Sequence, residues 1–294
     1  MARYSIKDLE NFTSIKAHTL RIWEQRYKLL KPSRTDTNIR YYSEYDLKKI
    51  LNVNLLYNHG LKISKIAGLT DKEIFEHAEE LLNESEKTAD DNVDYFIRLL
   101  LDLEEESICL EFERLAKEKG IEKMYLNTMI PLLEKIGELW QVNTISVSHE
   151  HFFSNLLRDF LISEISTLTP AHVPAAKVVL FLHEDEQHEL SLLFYHYFLK
   201  KRNFECYYLG RQVPMNDLQS FVVQMKPDFL VSSMIASISS KNMARIFSEI
   251  ATFFPLDKVV VGGYQIDLAQ DLLPSKVHKI NGIEGLELKM FNKK

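Results

Sequence analysis

From about residue 174 onward, short apolar runs alternate with helical patterns, and this alternation leaves the chain very few folds. Lys177-Val178-Val179-Leu180-Phe181-Leu182 is a buried-strand run, and strand-like runs recur at 204–209, 228–235 and 258–261. Helical patterns at 188–201, 215–225 and 240–253 separate them. Strands joined by helices of this length run parallel, through right-handed crossovers, with helices covering both faces of the sheet. Roughly 120 residues suits one five-stranded, doubly wound domain.

The preceding stretch has a different texture. Residues 71–168 place apolar side chains every three or four positions, the signature of amphipathic helices. Helices are expected at 90–103, 105–119, 122–141 and 146–168, enough for a small bundle. The first 70 residues differ again. They hold 13 Lys/Arg against 6 Asp/Glu, whereas the remaining 224 hold 23 against 36, for a net charge of −6. A basic head on an acidic body points to a nucleic-acid-binding module joined to something else.

Composition excludes several alternatives. With 46% hydrophobic and 27% charged residues the chain is a folded one rather than a disordered one. Its two cysteines, Cys109 and Cys206, are too few for a disulfide framework or a cysteine zinc site, and a reducing cytoplasm is the expected compartment. No run approaches the ~18 apolar residues of a membrane helix, and the start MARYSIKDLE lacks the apolar core of a secretory signal. The expected division is a DNA-binding domain at 1–75, a helical bundle at 76–172 and an α/β domain at 173–294.

Within the head the pattern is helix, turn, helix, then a loop with aromatics. Ser5 is a plausible N-cap for the first helix. A second helix from about Lys16 to Arg26 puts Leu20, Trp23 and Tyr27 on an inward stripe and turns Lys16, Arg21 and Arg26 outward, with His18 among them. A helix presenting arginines can enter the major groove, where arginine reads guanine edges or grips phosphate. Arg34-Thr35-Asp36-Thr37-Asn38-Ile39-Arg40-Tyr41-Tyr42 reads as a tight hairpin whose Arg34, Arg40 and Tyr41 can lie against the DNA backbone. Ser43 caps the helix that follows.

Thr19-Leu20-Arg21-Ile22-Trp23-Glu24-Gln25-Arg26-Tyr27, Leu30-Lys31-Pro32, Arg40-Tyr41-Tyr42 and Asn58-His59-Gly60-Leu61-Lys62-Ile63-Ser64-Lys65-Ile66 together resemble the MerR-type winged helix over about 70 residues. The resemblance implies a homo-oligomeric regulator, dimer or tetramer, on a pseudo-palindromic double-stranded operator.

Two constellations bear on what such a regulator would sense. Trp140 is followed ten positions later by Glu150-His151, a spacing that can bring an indole, a carboxylate and an imidazole to one bundle end; equally, Trp140 can be core and His151 a surface histidine. His183-Glu184-Asp185-Glu186-Gln187-His188-Glu189-Leu190-Ser191 follows the first strand of the sheet, where doubly wound folds form their ligand crevice. A histidine there can ligate a metal while a neighbouring acid holds its other ring nitrogen. His183 and His188 are five apart rather than four, so the helical zinc-protease pattern fails, and no G-x-G-x-x-G run occurs.

Together these constellations resemble cobalamin-binding modules, in which a helical bundle caps the upper cobalt face and a flavodoxin-like domain supplies the lower ligand. The resemblance makes His188 the lower axial cobalt ligand and Glu186 its partner in an E/D-x-H-x-x-G motif. Ser232-Ser233-Met234 is similar to the family's S-x-L, contributing Ser232, and Gly262-Gly263 to its G-G, where a bare backbone lets the nucleotide tail approach. Trp140, Glu150 and His151 are similar to the W-x9-E-H signature of light-sensing MerR regulators. The implied protein is a DNA-binding repressor, not an enzyme, whose oligomeric state and operator binding answer to adenosylcobalamin and light. Two positions depart from the pattern: Ser191 replaces the motif glycine, and Gln141 replaces the histidine that follows the signature tryptophan. These departures favour an alternative, a regulator whose site has degenerated and senses another ligand or a protein partner. A cobalamin-dependent enzyme needs a substrate-activating domain for which 294 residues leave no room.

Overall fold

The computed structural model of the chain describes residues 4–13, 15–34, 38, 40–84, 89–141, 145–169, 174–236, 238–268 and 273–280. Contacts divide the chain into two compact units, Met1–Leu156 and Leu157–Lys294.

In the first unit, α1 (Ile6–Thr13) begins on a reciprocal cap. The Ser5 hydroxyl accepts from the Asp8 amide while the Asp8 carboxylate accepts from the Ser5 amide. α2 (Ala17–Ile22) widens into a π turn over Trp23–Tyr27, which ends where Lys28 turns left-handed at φ 54°. Leu20 and Trp23 are buried and Tyr27 half-buried, as the inward stripe requires. The strands β1 (Ser33–Arg34) and β2 (Arg40–Tyr41) pair antiparallel. Thr35, Asp36, Thr37 and Ile39 of the expected hairpin lie outside the described residues.

α3 (Glu44–Asn58) starts from a capping box between Ser43 and Asp46. Every residue from Ile50 to Leu56 is buried, Asn52 and Asn54 included. A helix buried on every side is one packed against several neighbours. Its two buried amides are satisfied: Asn52 donates to the Lys48 carbonyl and Asn54 to that of Thr13. α4 (Ile63–Ile66) and α5 (Asp71–Glu84) follow.

The bundle helices are α6 (Ala89–Leu101), α7 (Glu105–Lys119), α8 (Ile121–Met124), α9 (Ile130–Gln141) and α10 (Val147–Thr167). Between α8 and α9 a π turn, Tyr125–Met129, keeps the helix continuous. Phe96, Phe112 and Phe153 meet at centroid separations of 5.4 to 5.9 Å and form an aromatic centre with no exposure. Head and bundle share one unit because α3 serves both. His59 Nε2 lies 3.3 Å from the buried Asp91 carboxylate, Lys48 pairs with Asp102, and Arg98 donates to Asn52. The charge change near residue 75 therefore marks no break in packing.

The second unit begins within α10. It contains β3 (Lys177–His183), α11 (Leu190–Lys201), β4 (Glu205–Val213), α12 (Met215–Met225), β5 (Phe229–Ser233), α13 (Ser240–Ala251), β6 (Val259–Gly262), α14 (Tyr264–Leu268) and β7 (His278–Lys279). All strands are parallel in the order β4-β3-β5-β6-β7, the flavodoxin-like arrangement. β4 runs four residues past its expected end at 209, through a register shift against β3 and a left-handed Gly210. Among the described residues no helix is long and apolar enough to cross a membrane.

Strand alternation sorts the strand ends by face. Phe181, Leu230, Met234 and Val261 pack into one core with Leu218 and Val222 of α12 and Met243, Ile246, Phe247 and Ile250 of α13. Ser232 pairs with Val261 and so belongs to that face, whereas Ser233 pairs with Gly262 and belongs to the other.

Gly263 sits at φ 104°, and a methyl group on it would lie 2.5 Å from the Met234 carbonyl oxygen. The Met234 backbone just beyond β5 cannot yield, so Gly263→Ala should lose at least ~2 kcal/mol of stability. Gly60→Ala, also at positive φ but with no atom within 4 Å, should cost roughly half as much. Urea unfolding of both variants checks the difference, and equal costs would contradict the close approach.

Candidate functional site

The loop between β3 and α11 carries a dense polar network. Its centre is Glu186, a carboxylate with almost no exposure. One oxygen accepts from the amides of Gln187 and His188, both at 2.9 Å, and lies 2.7 Å from His188 Nδ1. The other accepts from the amides of Ile235 and Ala236, at 2.7 and 2.8 Å, just beyond β5. Burial by itself would raise the Glu186 pKa, but hydrogen bonds from His188 and from the His188, Ala236 and Ile235 amides outweigh it and hold it at about 2. An ionised carboxylate can only accept, so His188 donates through Nδ1–H and its lone pair resides on Nε2.

His188 lies in the loop, two residues before α11, with 58% of its side chain exposed. This is the tautomer and the accessibility a metal-binding imidazole needs. The next residue, Glu189, is buried and gathers Arg158 of α10 at 2.7 Å, Arg211 of β4 at 3.3 Å and the Tyr208 hydroxyl at 3.0 Å. Ser191 is half-buried on the first turn of α11.

His183 is a different histidine. Only 3% of it is exposed, burial lowers its pKa, the Asp185 amide donates to its Nδ1, and its buried Nε2 has no partner among the described residues. Its Nδ1 and Nε2 lie 3.8 Å from the Asp185 and Glu184 carboxylates respectively, on opposite edges of the ring.

The face argument separates the serines. Ser233, not Ser232, shares the face of Gly262, and its hydroxyl is buried without a partner among the described residues. Only the register of β5 against β6 decides which of the two serines faces α11. The Ser232 hydroxyl is equally unpartnered, on the face that looks toward α12 and α13. Both glycines of the pair have neighbours inside the chain. A methyl on Gly262 would lie 2.3 Å from the Tyr195 hydroxyl, and Gly263 receives the Met234 backbone.

In the helical unit, Glu150 and His151 come together at 2.6 Å, with Ser154 donating to the same carboxylate. His151 is exposed, and Trp140 is 48% exposed rather than core. Nothing is described of the Gln141 side chain.

In the head, Arg21, Arg26 and His18 are exposed on one helix, and Lys16 immediately precedes it, paired with Glu10 at 3.3 Å. Arg26 lies over the Tyr27 ring at 5.4 Å. Arg34 donates to Asn38 within the β1–β2 connection. Arg40 is engaged in part: its Nε donates to Glu24 at 3.1 Å, as does the buried Tyr42 hydroxyl at 2.8 Å, and burial with the Glu24 bond raises the Tyr42 pKa. Glu24 thereby ties the π turn to β2, a role that sequence spacing does not reveal. Tyr41 is half-buried on the same strand.

Residues 4–73 match the family of MerR HTH family regulatory proteins, and residues 93–161 match the B12 binding domain family. Over 269 residues the chain is 27% identical to the HTH-type transcriptional repressor CarH of Myxococcus xanthus, covering 88% of each. It is 26% identical over 261 residues to the repressor CarA of the same organism, covering 88% of this chain and 85% of CarA. Among solved structures it is similar to the Methanosarcina barkeri monomethylamine corrinoid protein, at 14% identity and a TM-score of 0.48, covering 62% of this chain and 87% of that one. The residues fit a cobalamin at His188 and crowd it at Gly262, where Tyr195 already lies.

Because the Glu186 pKa falls from 4.5 to about 2 on folding, its ionised form stabilises the fold by roughly 3 kcal/mol at neutral pH. The contribution is complete above the unfolded value and is lost as pH falls through the folded one. Glu186→Gln should therefore be destabilised at pH 7 by about that amount, with the gap shrinking by more than half at pH 3. Urea midpoints at the two pH values test this, and a gap independent of pH would refute the ionised carboxylate.

Proposed function

We propose that this chain regulates transcription by holding operator DNA with its head and a cobalamin-type corrinoid through His188. The chain combines a MerR-type helix-turn-helix with a B12 binding domain and is similar over most of its length to two transcriptional repressors. It is a regulator and not an enzyme. The observation that carries the corrinoid assignment is the Glu186–His188 pair, a buried carboxylate fixing the tautomer of an exposed imidazole at the carboxyl end of a parallel sheet.

In this reading residues 1–75 bind DNA as a winged helix, with β1 and β2 as the wing. Residues 76–172 would contribute Trp140, Glu150 and His151 to holding the cofactor, and residues 173–294 would contribute His188, Glu186, Ser191, Gly262 and Gly263, with Ser232 on the face of β5 turned away from α11. The corrinoid supplies a cobalt centre that His188 ligates. In its adenosyl form the bound corrinoid would supply a light-sensitive centre, and that form and light are the proposed signal. They act on a homo-oligomer, dimer or tetramer, that represses from its operator in the cytoplasm. Arg21, Arg26, His18 and Lys16 face the major groove, while Arg34, Arg40 and Tyr41 hold the backbone.

Two measurements test the reading. Saturating adenosylcobalamin should give a protein-bound cobalt spectrum that changes on illumination, with a fall in size-exclusion mass; His188→Ala should lose the bound spectrum. A bound spectrum unaffected in His188→Ala would sink the ligand assignment. On DNA selected from a random library, Arg21→Ala should reduce the preference over unrelated sequence by roughly tenfold, while Arg34→Ala weakens all sequences alike. Each phosphate contact removed should make the log–log salt slope shallower by about 0.9. Unchanged affinity in both variants would contradict the head's placement.

A further inference from the structure

Tyr195 stands two helical turns beyond His188 on α11 and is 8% exposed. Its hydroxyl lies over the bare face of Gly262, at the end of β6, only 2.3 Å from where a methyl group would sit, with Cζ at 3.1 Å. Ile280 closes the same spot, its Cβ 3.2 Å from that position. Beside Gly262 on the same face is Ser233, fully buried, with a hydroxyl that no described group satisfies. The strand-end ledge beneath α11 thus combines an unmatched hydroxyl with a glycine across which an aromatic ring is laid.

That ledge matters because of how His188 would bind. A complete cobalamin carries its own lower ligand, a benzimidazole on a ribose-phosphate tail. A histidine that takes the lower position displaces this base, and the base must then be housed near the histidine. The His188 loop is pinned to the end of β5 through Glu186 and the Ile235 and Ala236 amides. Ser233 is two residues before Ile235, and Gly262 is its partner across the ladder. The nearest housing is therefore the ledge that Tyr195 fills.

Resting on the corrinoid reading above, we propose that Tyr195 determines specificity: it occupies the place of the displaced base, so that the chain takes corrinoids that lack the lower nucleotide, of the cobinamide class, in preference to complete cobalamin. A tail-less ring needs only His188 and leaves Tyr195 buried. A complete cobalamin requires the ring to swing out of a packed site, which weakens binding.

The test is equilibrium dialysis of the full chain against aquocobalamin and, separately, diaquocobinamide, with visible spectra of the bound species. Cobinamide has no axial nitrogen ligand of its own, so ligation by His188 moves its absorption band, and His188→Ala should abolish that shift. Wild type should bind cobinamide at least about tenfold more tightly than cobalamin. Tyr195→Ala should erase that ratio or reverse it, and Tyr195→Phe, which keeps the ring and most of the packing, should preserve it. Equal or tighter binding of cobalamin by wild type would overturn the proposal while leaving the corrinoid reading intact, and an unchanged ratio in Tyr195→Ala would also overturn it. Binding of neither corrinoid by wild type would overturn both.

Discussion

The second unit depends on one buried charge. Glu186 sits between two segments far apart in sequence, the loop after β3 and the backbone just beyond β5, and accepts from four amides and an imidazole. Stripping water from a carboxylate is expensive unless every lone pair is used, and here the donors come from both segments. The loop cannot move without orphaning the charge, so the position of His188 follows from the parallel pairing of β3 with β5. The same bond chooses the histidine tautomer. Glu189 extends this arrangement to Arg158 and Arg211, tying α10 and β4 to the residue beside His188. A change of ligand at His188 is therefore mechanically close to α10, one step away through a single peptide.

The head depends on a second carboxylate in a comparable way. Glu24 lies in the π turn that follows α2 and receives both Arg40 and Tyr42 from the strand across from it. The helix that presents Arg21 and Arg26 and the strand that presents Tyr41 are thus held by one side chain. Arg40 consequently has less of its fork to offer a phosphate than its place in the sequence suggests. Placing α3 between head and bundle explains why contacts make a single unit of two segments that differ so sharply in charge.

Much of this architecture was legible because it is written in periodicity. The β/α alternation after residue 174 located four of the five parallel strands, leaving the short β7 (His278–Lys279) unread, and the three-to-four spacing upstream led to bundle helices within a residue or two of their observed ends. Ser5 and Ser43 announced their caps chemically. What escaped the sequence depends on register. Ser232 and Ser233 are chemically alike, and only the pairing of Ser233 with Gly262 says which one faces α11. Trp140 could be core or surface on spacing alone, and the structure leaves it half exposed. The extension of β4 past residue 209 crosses a left-handed Gly210, which interrupts the strand pattern in the sequence without interrupting the strand.

Tyr195 shows a different limit. In the sequence it is one aromatic in an apolar helix, Leu192-Leu193-Phe194-Tyr195, and nothing marks it off from its neighbours. Gly262 and Gly263 by contrast stand out, and a bare backbone invites the assumption that something outside the chain approaches it. In the folded unit both glycines are explained from within: Gly263 by the Met234 backbone, Gly262 by the Tyr195 hydroxyl. A glycine reports close approach without saying what approaches. A motif can therefore persist at the strand ends while the volume it once implied is filled by a residue on another element. His188 and Glu186, whose chemistry is directional and complete in itself, carry the functional reading more securely than the glycines, whose meaning depends on their neighbours.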